Sequence, residues 1–203
     1  MSESAKSTRQ EIIEASRKEF LVHGYEGARL HNIAEHIGVT KAMIHYYFNT
    51  KRELFEHVYK ESVDEIYCEL NNIFAEELPL LKKIEMLVEH CLQKADEDPQ
   101  VLSFVITESR RKSEWLQPII NDKVKLELSD FEAELNKAAS NYQVASVTVH
   151  DLLMNIFALC YYPALAGPIH ESIFDSNKRD VQGDMSQNRK GVILDTVFNW
   201  LTA

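Results

Sequence analysis

The chain has 203 residues, 45% of them apolar, and a formal charge of −10. That length holds one large domain or a small one joined to a medium one, and the apolar share excludes disorder by composition. The acidic balance, with a pI near 5.3, excludes nonspecific binding to nucleic acid or an anionic membrane as a bulk property.

The charge is uneven along the chain. Residues 1–52 hold 8 Lys+Arg and 6 Asp+Glu, whereas the other 151 residues hold 14 and 26. A mildly basic first quarter precedes a strongly acidic body, which predicts two modules, 1–52 and 53–203. Cys68, Cys91 and Cys160 are sparse, odd in number and free of any CxxC pair, as expected of reduced thiols. "MSESAKSTRQEII" has no apolar signal core. The longest apolar run, "IFALCYYPALAG", is too short to span a bilayer and contains Pro163. The expectation is a soluble cytoplasmic protein with no membrane partner.

Helical punctuation runs through the chain. In "STRQEIIEASRKEFLVHG", Ser7 or Thr8 suits an N-cap, with Gln10 or Glu11 completing a capping box. Ile12, Ile13, Phe20 and Leu21 share a face, and Gly24 reads as the stop. Two short helices follow at about 30–37 and 41–48. A long helix is expected from Thr50 to Phe74, with Leu54, Phe55, Val58, Ile66, Leu70 and Phe74 at helical spacing. Pro79, Pro99 and Pro118 mark helix starts, and Pro118 to Ser140 carries one stripe of Ile120, Val124, Leu128, Phe131 and Leu135. Thr148 opens a helix with Asp151 as its box partner, and "LLMNIFALCYY" is apolar almost all round. Residues 170–187 read as a polar loop before a final helix at about 188–201. No strand pattern occurs, so the fold class is all-α: an N-terminal helix-turn-helix plus a larger helical body.

One stretch carries the chemistry. Ala34, Gly38 and Ile44 stand at the A-x3-G-x5-I spacing of a helix-turn-helix. Ala34 is small enough for two helices to cross closely, and Gly38 supplies the positive φ of a tight turn. Ile33 and Ile44 point inward, Val39 plugs the turn, and Thr40 caps the second helix. In this arrangement the second helix enters the DNA major groove N-terminus first. Thr40, Lys41, Ala42 and Met43 then lie at base edges: Lys41 reaches a guanine or a phosphate, and Ala42 or Met43 a thymine methyl. "HYYF" puts four rings in a row, more than one buried stripe accepts. Phe48 is expected to face the core, and His45, Tyr46 and Tyr47 the duplex. Lys51, at the start of the next helix, is placed to fix a phosphate, and Arg29 and His31 are further candidates.

"GYEGARLHNIAEHIGVTKAMIHYYFNTKRELF", residues 24–55, resembles the DNA-binding domain of TetR-type transcriptional regulators. Gly24-Tyr25, Ile33-Ala34, Gly38-Val39-Thr40, Ile44, Tyr47-Phe48, Lys51 and Leu54-Phe55 carry the resemblance. It implies a homodimer that grips a palindromic double-stranded operator, with positions 31, 40–47 and 51 at the DNA. It also implies a small-molecule pocket in the body whose occupancy alters the spacing of the two DNA-binding domains. Two residues depart from the family pattern. Ala28 stands where a capping threonine is usual, a loss of about 1 kcal/mol. His45 stands where tyrosine is common, and a histidine there makes binding sensitive to pH near neutrality.

Elsewhere the sequence offers candidates rather than motifs. Phe104, Trp115, Leu116, Met154, Phe157 and Tyr161 suit the lining of an apolar pocket, or simply core. Leu152, Leu153, Ile156, Ile193, Val197, Trp200 and Leu201, on the 148–165 helix and the final helix, suit a four-helix dimer interface or burial within one subunit. No histidine pair falls at metal-ligand spacing, His90-Cys91 point to different helix faces, and nothing resembles a catalytic dyad. No cofactor, metal or enzyme activity is expected. The function read from these residues is a dimeric, ligand-responsive transcriptional regulator, a repressor rather than an activator. Its recognition helices would lie about 34–36 Å apart in the DNA-bound state. The alternative is an interaction factor on the same fold, whose body recruits a partner protein.

Overall fold

The computed structural model describes residues 3–141, 144–167, 169, 172 and 185–202. Every regular element among them is a helix, which meets the all-α expectation. The chain divides into two compact units, Met1–Tyr67 with Ser103–Lys125, and Cys68–Leu102 with Leu126–Ala203. The first unit therefore extends well past residue 52.

The first unit holds α1 (Glu3–Gly27), α2 (Leu30–His36), α3 (Lys41–Tyr47), α4 (Lys51–Tyr67), most of α7 (Pro99–Arg111) and α8 (Ser113–Lys123). Helix α1 packs on α2 and α4, and α4 packs on α8. The core is aromatic. Phe55 meets Phe20 edge-on at 5.1 Å and Phe104 at 5.7 Å, and Tyr59 lies 5.9 Å from Phe104. Such edge-to-face pairs align ring edges with ring faces. The buried Tyr59 hydroxyl donates to the Val105 carbonyl at 3.2 Å, and burial pushes its pKa up.

Helix α1 begins upstream of Ser7 and Thr8, so neither caps it; Ser7 instead donates to Glu11 one turn on, at 3.1 Å. At Gly24 the backbone has φ 62 and ψ −176, a region essentially reserved for glycine. The chain kinks there and closes one more turn to Gly27, so the expected stop is a bend.

The second unit holds α5 (Leu70–Ala75), α6 (Leu80–Glu97), the first turn of α7, α9 (Ser129–Ser140), α10 (Val149–Leu165) and α11 (Met185–Thr202). Helices α6, α10 and α11 pack on one another, and α9 meets α5, α6 and α10. Ile84, Leu87, Leu152, Ile156, Ile193 and Leu201 are fully buried. Lys83 is buried with them. Its ammonium donates to the Phe74 carbonyl at 3.1 Å and to Glu134 at 2.6 Å, as a buried cation requires. Pro79 precedes α6, Pro99 opens α7, and Thr148 caps α10 by accepting the Asp151 N–H at 3.0 Å.

Two expected helices are each broken in two. The helix expected from Thr50 to Phe74 ends at Tyr67, and α5 restarts at Leu70. The helix expected from Pro118 to Ser140 is α8 up to Lys123 and α9 from Ser129, with Pro118 inside α8. The reason is common to both. Each apolar stripe serves two cores, and the chain leaves one compact unit for the other at 67/68 and at 125/126. Leu54, Phe55 and Val58 belong to the first unit, whereas Phe74 lies 5.0 Å from Phe131 in the second. Residues 170–187, expected as a loop, lie outside the described residues apart from Ser172 and the backbone of 185–187, where α11 begins.

Candidate nucleic-acid interface

The crossing of α2 and α3 has the predicted form. Ile33, Ala34 and Ile44 are 1%, 3% and 1% exposed, Gly38 has φ 69, and the Val39 N–H donates to the Ala34 carbonyl at 3.0 Å. Thr40 Oγ1 accepts the Met43 N–H at 3.2 Å. The next helix is capped in the same way. Thr50 Oγ1 accepts the Glu53 N–H at 3.0 Å, and Glu53 accepts the Asn49 N–H at 3.1 Å.

Helix α2 lacks a cap of its own. Ala28 is fully buried, and Arg29 occupies the N-cap without a side-chain bond to the helix. The missing acceptor comes from α1: Glu19 Oε1 takes both the Arg29 N–H and the Asn32 side-chain amide, each at 3.0 Å. A carboxylate also suits the positive end of a helix. Glu19 stands ten residues upstream of Arg29, so no local pattern could have named it.

On α3, Ile44 and Phe48 are buried while Thr40, Lys41, Ala42, Met43, His45 and Tyr46 are exposed. Tyr46 is 81% exposed. Its ring meets the half-buried Tyr47 ring at 5.1 Å and 86°, so the pair stands as an edge-to-face wall on the open side of the helix. His45 is exposed, and its Nδ1 donates to the Asn49 carbonyl at 3.3 Å. The Arg9 guanidinium covers Phe48 at 4.9 Å. His31 is exposed and 3.8 Å from Glu35, and Arg29 reaches the Glu26 carbonyl at 3.1 Å.

Lys51 opens α4 with its ammonium 4.6 Å above the Tyr25 ring. Burial holds its pKa below the ordinary lysine range, and the Arg29 guanidinium adds to that. Lys112 lies over the same ring and pairs with Glu26. Trp115 touches Tyr25 edge-on at 4.8 Å and carries Arg52 on its face at 4.6 Å. The placement of Lys112 and Trp115 against Tyr25 was invisible in the sequence, because α7 and α8 lie far from α1 along the chain.

The other candidates fall into separate places. Phe104, Trp115 and Leu116 belong to the first unit, and Met154, Phe157 and Tyr161 to the second. Phe157 and Tyr161 stack at 5.6 Å, and the Tyr161 hydroxyl donates to Cys91 Sγ at 3.5 Å. Met154 is 56% exposed. Leu152, Leu153, Ile156, Ile193, Val197 and Leu201 are all buried within the one subunit, with Trp200 half-buried. Among the described residues, the large apolar side chains that α10 and α11 leave exposed are Met154, Tyr162, Leu165 and Val192. Among the described residues no helix is long and apolar enough to cross a membrane.

Residues 12–58 match the family model of bacterial regulatory proteins of the tetR family. The chain is 24% identical over 179 residues to the HTH-type transcriptional regulator RutR of Escherichia coli K12, covering 88% of this chain and 84% of RutR. It is 43% identical over 47 residues to the HTH-type transcriptional repressor AcnR of Corynebacterium diphtheriae, covering 23% of this chain and 25% of AcnR. The fold matches that of the transcriptional regulator FadR from Bacillus subtilis, solved in complex with stearoyl-CoA, with a TM-score of 0.64 at 17% identity over 95% of this chain and 98% of FadR. The matched segment coincides with the capped α2–α3 crossing, so residues 12–58 are a helix-turn-helix DNA-binding domain of the tetR-family type.

Proposed function

We propose that the protein is a dimeric repressor that grips a palindromic operator through α3 and is released by a small molecule. The observation that carries the DNA reading is the outer face of α3. There Lys41, Tyr46 and His45 stand exposed on a helix whose inner face is locked by Ile44 and Phe48. Thr40, Lys41, Ala42, Met43, His45, Tyr46 and Tyr47 meet the groove, and Arg29, His31 and Lys51 hold phosphates. Kinship with a named repressor over the helix-turn-helix supports repression.

Residues 1–52 bind DNA in this reading, and 53–203 bind the effector and dimerise. The exposed apolar row on α10, Met154, Tyr162 and Leu165, with Val192 on α11, supplies the dimer face; the buried neighbours Leu152, Ile156, Ile193 and Val197 support it from within. A structural relative that holds stearoyl-CoA makes acyl-CoAs the first effector class to try. An effector shifts the equilibrium only by its differential affinity for the DNA-bound and released states.

The test is selection of binding sites from a random duplex library at two salt concentrations, followed by release with an acyl-CoA panel. An enriched palindrome with half-sites about one helical turn apart supports the reading. Retention without enrichment overturns it.

A further inference from the structure

Residues 103–125 lie in the same compact unit as the helix-turn-helix and carry 5 Lys+Arg against 3 Asp+Glu. Arg110, Arg111 and Lys112 are consecutive at the turn between α7 and α8. The Lys112 ammonium lies 5.4 Å from the Tyr25 ring and 5.0 Å from the Trp115 ring. The Lys51 ammonium lies over the same Tyr25 ring at 4.6 Å, so the two charges are at most about 10 Å apart, within roughly one Debye length at 0.1 M salt. The Arg111 side chain is 64% exposed.

Arg111, Lys112 and Arg52 each have an acid beside them, and only one of these acids, Glu26, is well exposed. Glu108, 3.5 Å from Arg111, is buried, and its Oε2 has no partner. Glu56 is taken by Arg52 at 2.6 Å. Glu26, 75% exposed, pairs with Lys112, whose side chain is 18% exposed. Burial and then Arg29 disfavour the charge on Lys51, as does Lys112, while Glu26 and Glu19 favour it. An anion with regularly repeated charges can meet Lys51, the exposed Arg111 and Lys112 at once.

We propose that Arg111 and Lys112 hold a DNA phosphate beside the one at Lys51, so that the α7–α8 turn is part of the duplex-binding surface. This rests on the reading of α3 as the DNA-binding helix. Duplex DNA carries one phosphate about every 3.4 Å of axis per strand, so cations set beside Lys51 find a neighbouring charge on the same backbone. Lys112, already fixed between two rings, loses little freedom on binding. The phosphate replaces Glu26 as its partner. Contacts of this kind strengthen binding and fix orientation without reading sequence.

The test uses the full chain, the duplex recovered by site selection, and a scrambled duplex of equal length, titrated from 50 to 200 mM salt. Arg111→Gln combined with Lys112→Gln is expected to weaken binding about 5–30-fold, equally on both duplexes. The slope of log affinity against log salt should become shallower by about 1–2 units. Arg111→Gln alone, at an exposed side chain, should lose about half of that, so a folding defect at Lys112 cannot produce the result. Glu26→Gln should tighten both complexes about 2–3-fold. Wild-type affinity and slope in the double variant, while Lys51→Gln loses about one unit of slope, overturn the proposal and leave the α3 reading standing. Wild-type protein that holds neither duplex overturns the α3 reading, and the patch with it.

Discussion

The two compact units differ first in charge. Residues 1–67 with 103–125 hold 14 Lys+Arg and 14 Asp+Glu, whereas 68–102 with 126–203 hold 8 and 18. All of the net −10 therefore sits in the unit without the helix-turn-helix. Their cores differ as well. The first is built on Phe20, Phe55, Tyr59 and Phe104, and its aromatic character continues to the surface, where Tyr25 and Trp115 carry lysine and arginine on their faces. The second is mainly aliphatic, around the buried Phe74–Phe131 pair, with two buried thiols; the neighbouring Cys91 thiol and burial push the Cys160 thiol up. One unit uses rings to hold cations in place, which suits contact with phosphate. The other is acidic outside and apolar inside, which suits repulsion from duplex and packing against apolar partners.

The largest expected effect is on the aromatic core. Phe55→Ala should cost about 3–5 kcal/mol in a denaturant melt and abolish operator binding, since Phe55 joins α1, α4 and α7. Leu152→Ala, in the other core, should cost about 2–5 kcal/mol while the intrinsic DNA contacts survive. Equal loss of DNA binding in both, at temperatures where both remain folded, would break the contrast.

Next comes the kink. Gly24→Ala should cost about 1–3 kcal/mol, because its backbone region is closed to alanine and the added carbon would sit 2.6 Å from Glu108 Oε1. Glu108→Ala in the same chain should recover the steric part only. Full recovery, measured by a double-mutant melt, would mean that the backbone conformation adapts.

Tyr46→Ala and Lys41→Ala each should weaken operator binding by about 1–3 kcal/mol with unchanged melting, because both side chains are exposed. If neither moves the dissociation constant, α3 is not the groove helix.

A matched pair sharpens the comparison further. Thr40→Ala and Thr148→Ala remove equivalent caps, worth about 1 kcal/mol each. Only the first should reduce DNA affinity.

The smallest effect concerns two carboxyls. Lys112 holds Glu26 below its ordinary value, and Thr148 holds Asp151 below its own. A depressed folded value means the stabilising contribution is present above the unfolded pKa and lost as pH falls through the folded one. Each should therefore titrate by NMR on the acid side of its ordinary range. Lys112→Gln should return Glu26 alone, and Thr148→Ala Asp151 alone.

Much of the site was legible because its determinants are local. The Gly38 turn, the Thr40 cap and the inward Ile44 and Phe48 all act within a few residues, so spacing alone specifies them. The Thr148–Asp151 cap and the starts at Pro79 and Pro99 were legible for the same reason. Helical spacing, however, carries no record of which core a side chain enters. It could not divide Thr50–Phe74 or Pro118–Ser140 between two units, nor tell the buried face of α10 from its exposed row of Met154, Tyr162 and Leu165.

By itself the sequence determined an all-α chain with a helix-turn-helix near its start, because periodicity, capping and turn chemistry are short-range properties of the backbone. Tertiary structure alone decided that Glu19 supplies the cap missing at α2 and that Lys112 and Trp115 stand beside Lys51 around Tyr25. Those pairings join residues up to 90 positions apart. Only the packing of α1, α4 and α8 brings them together, and no local pattern encodes a contact that packing creates.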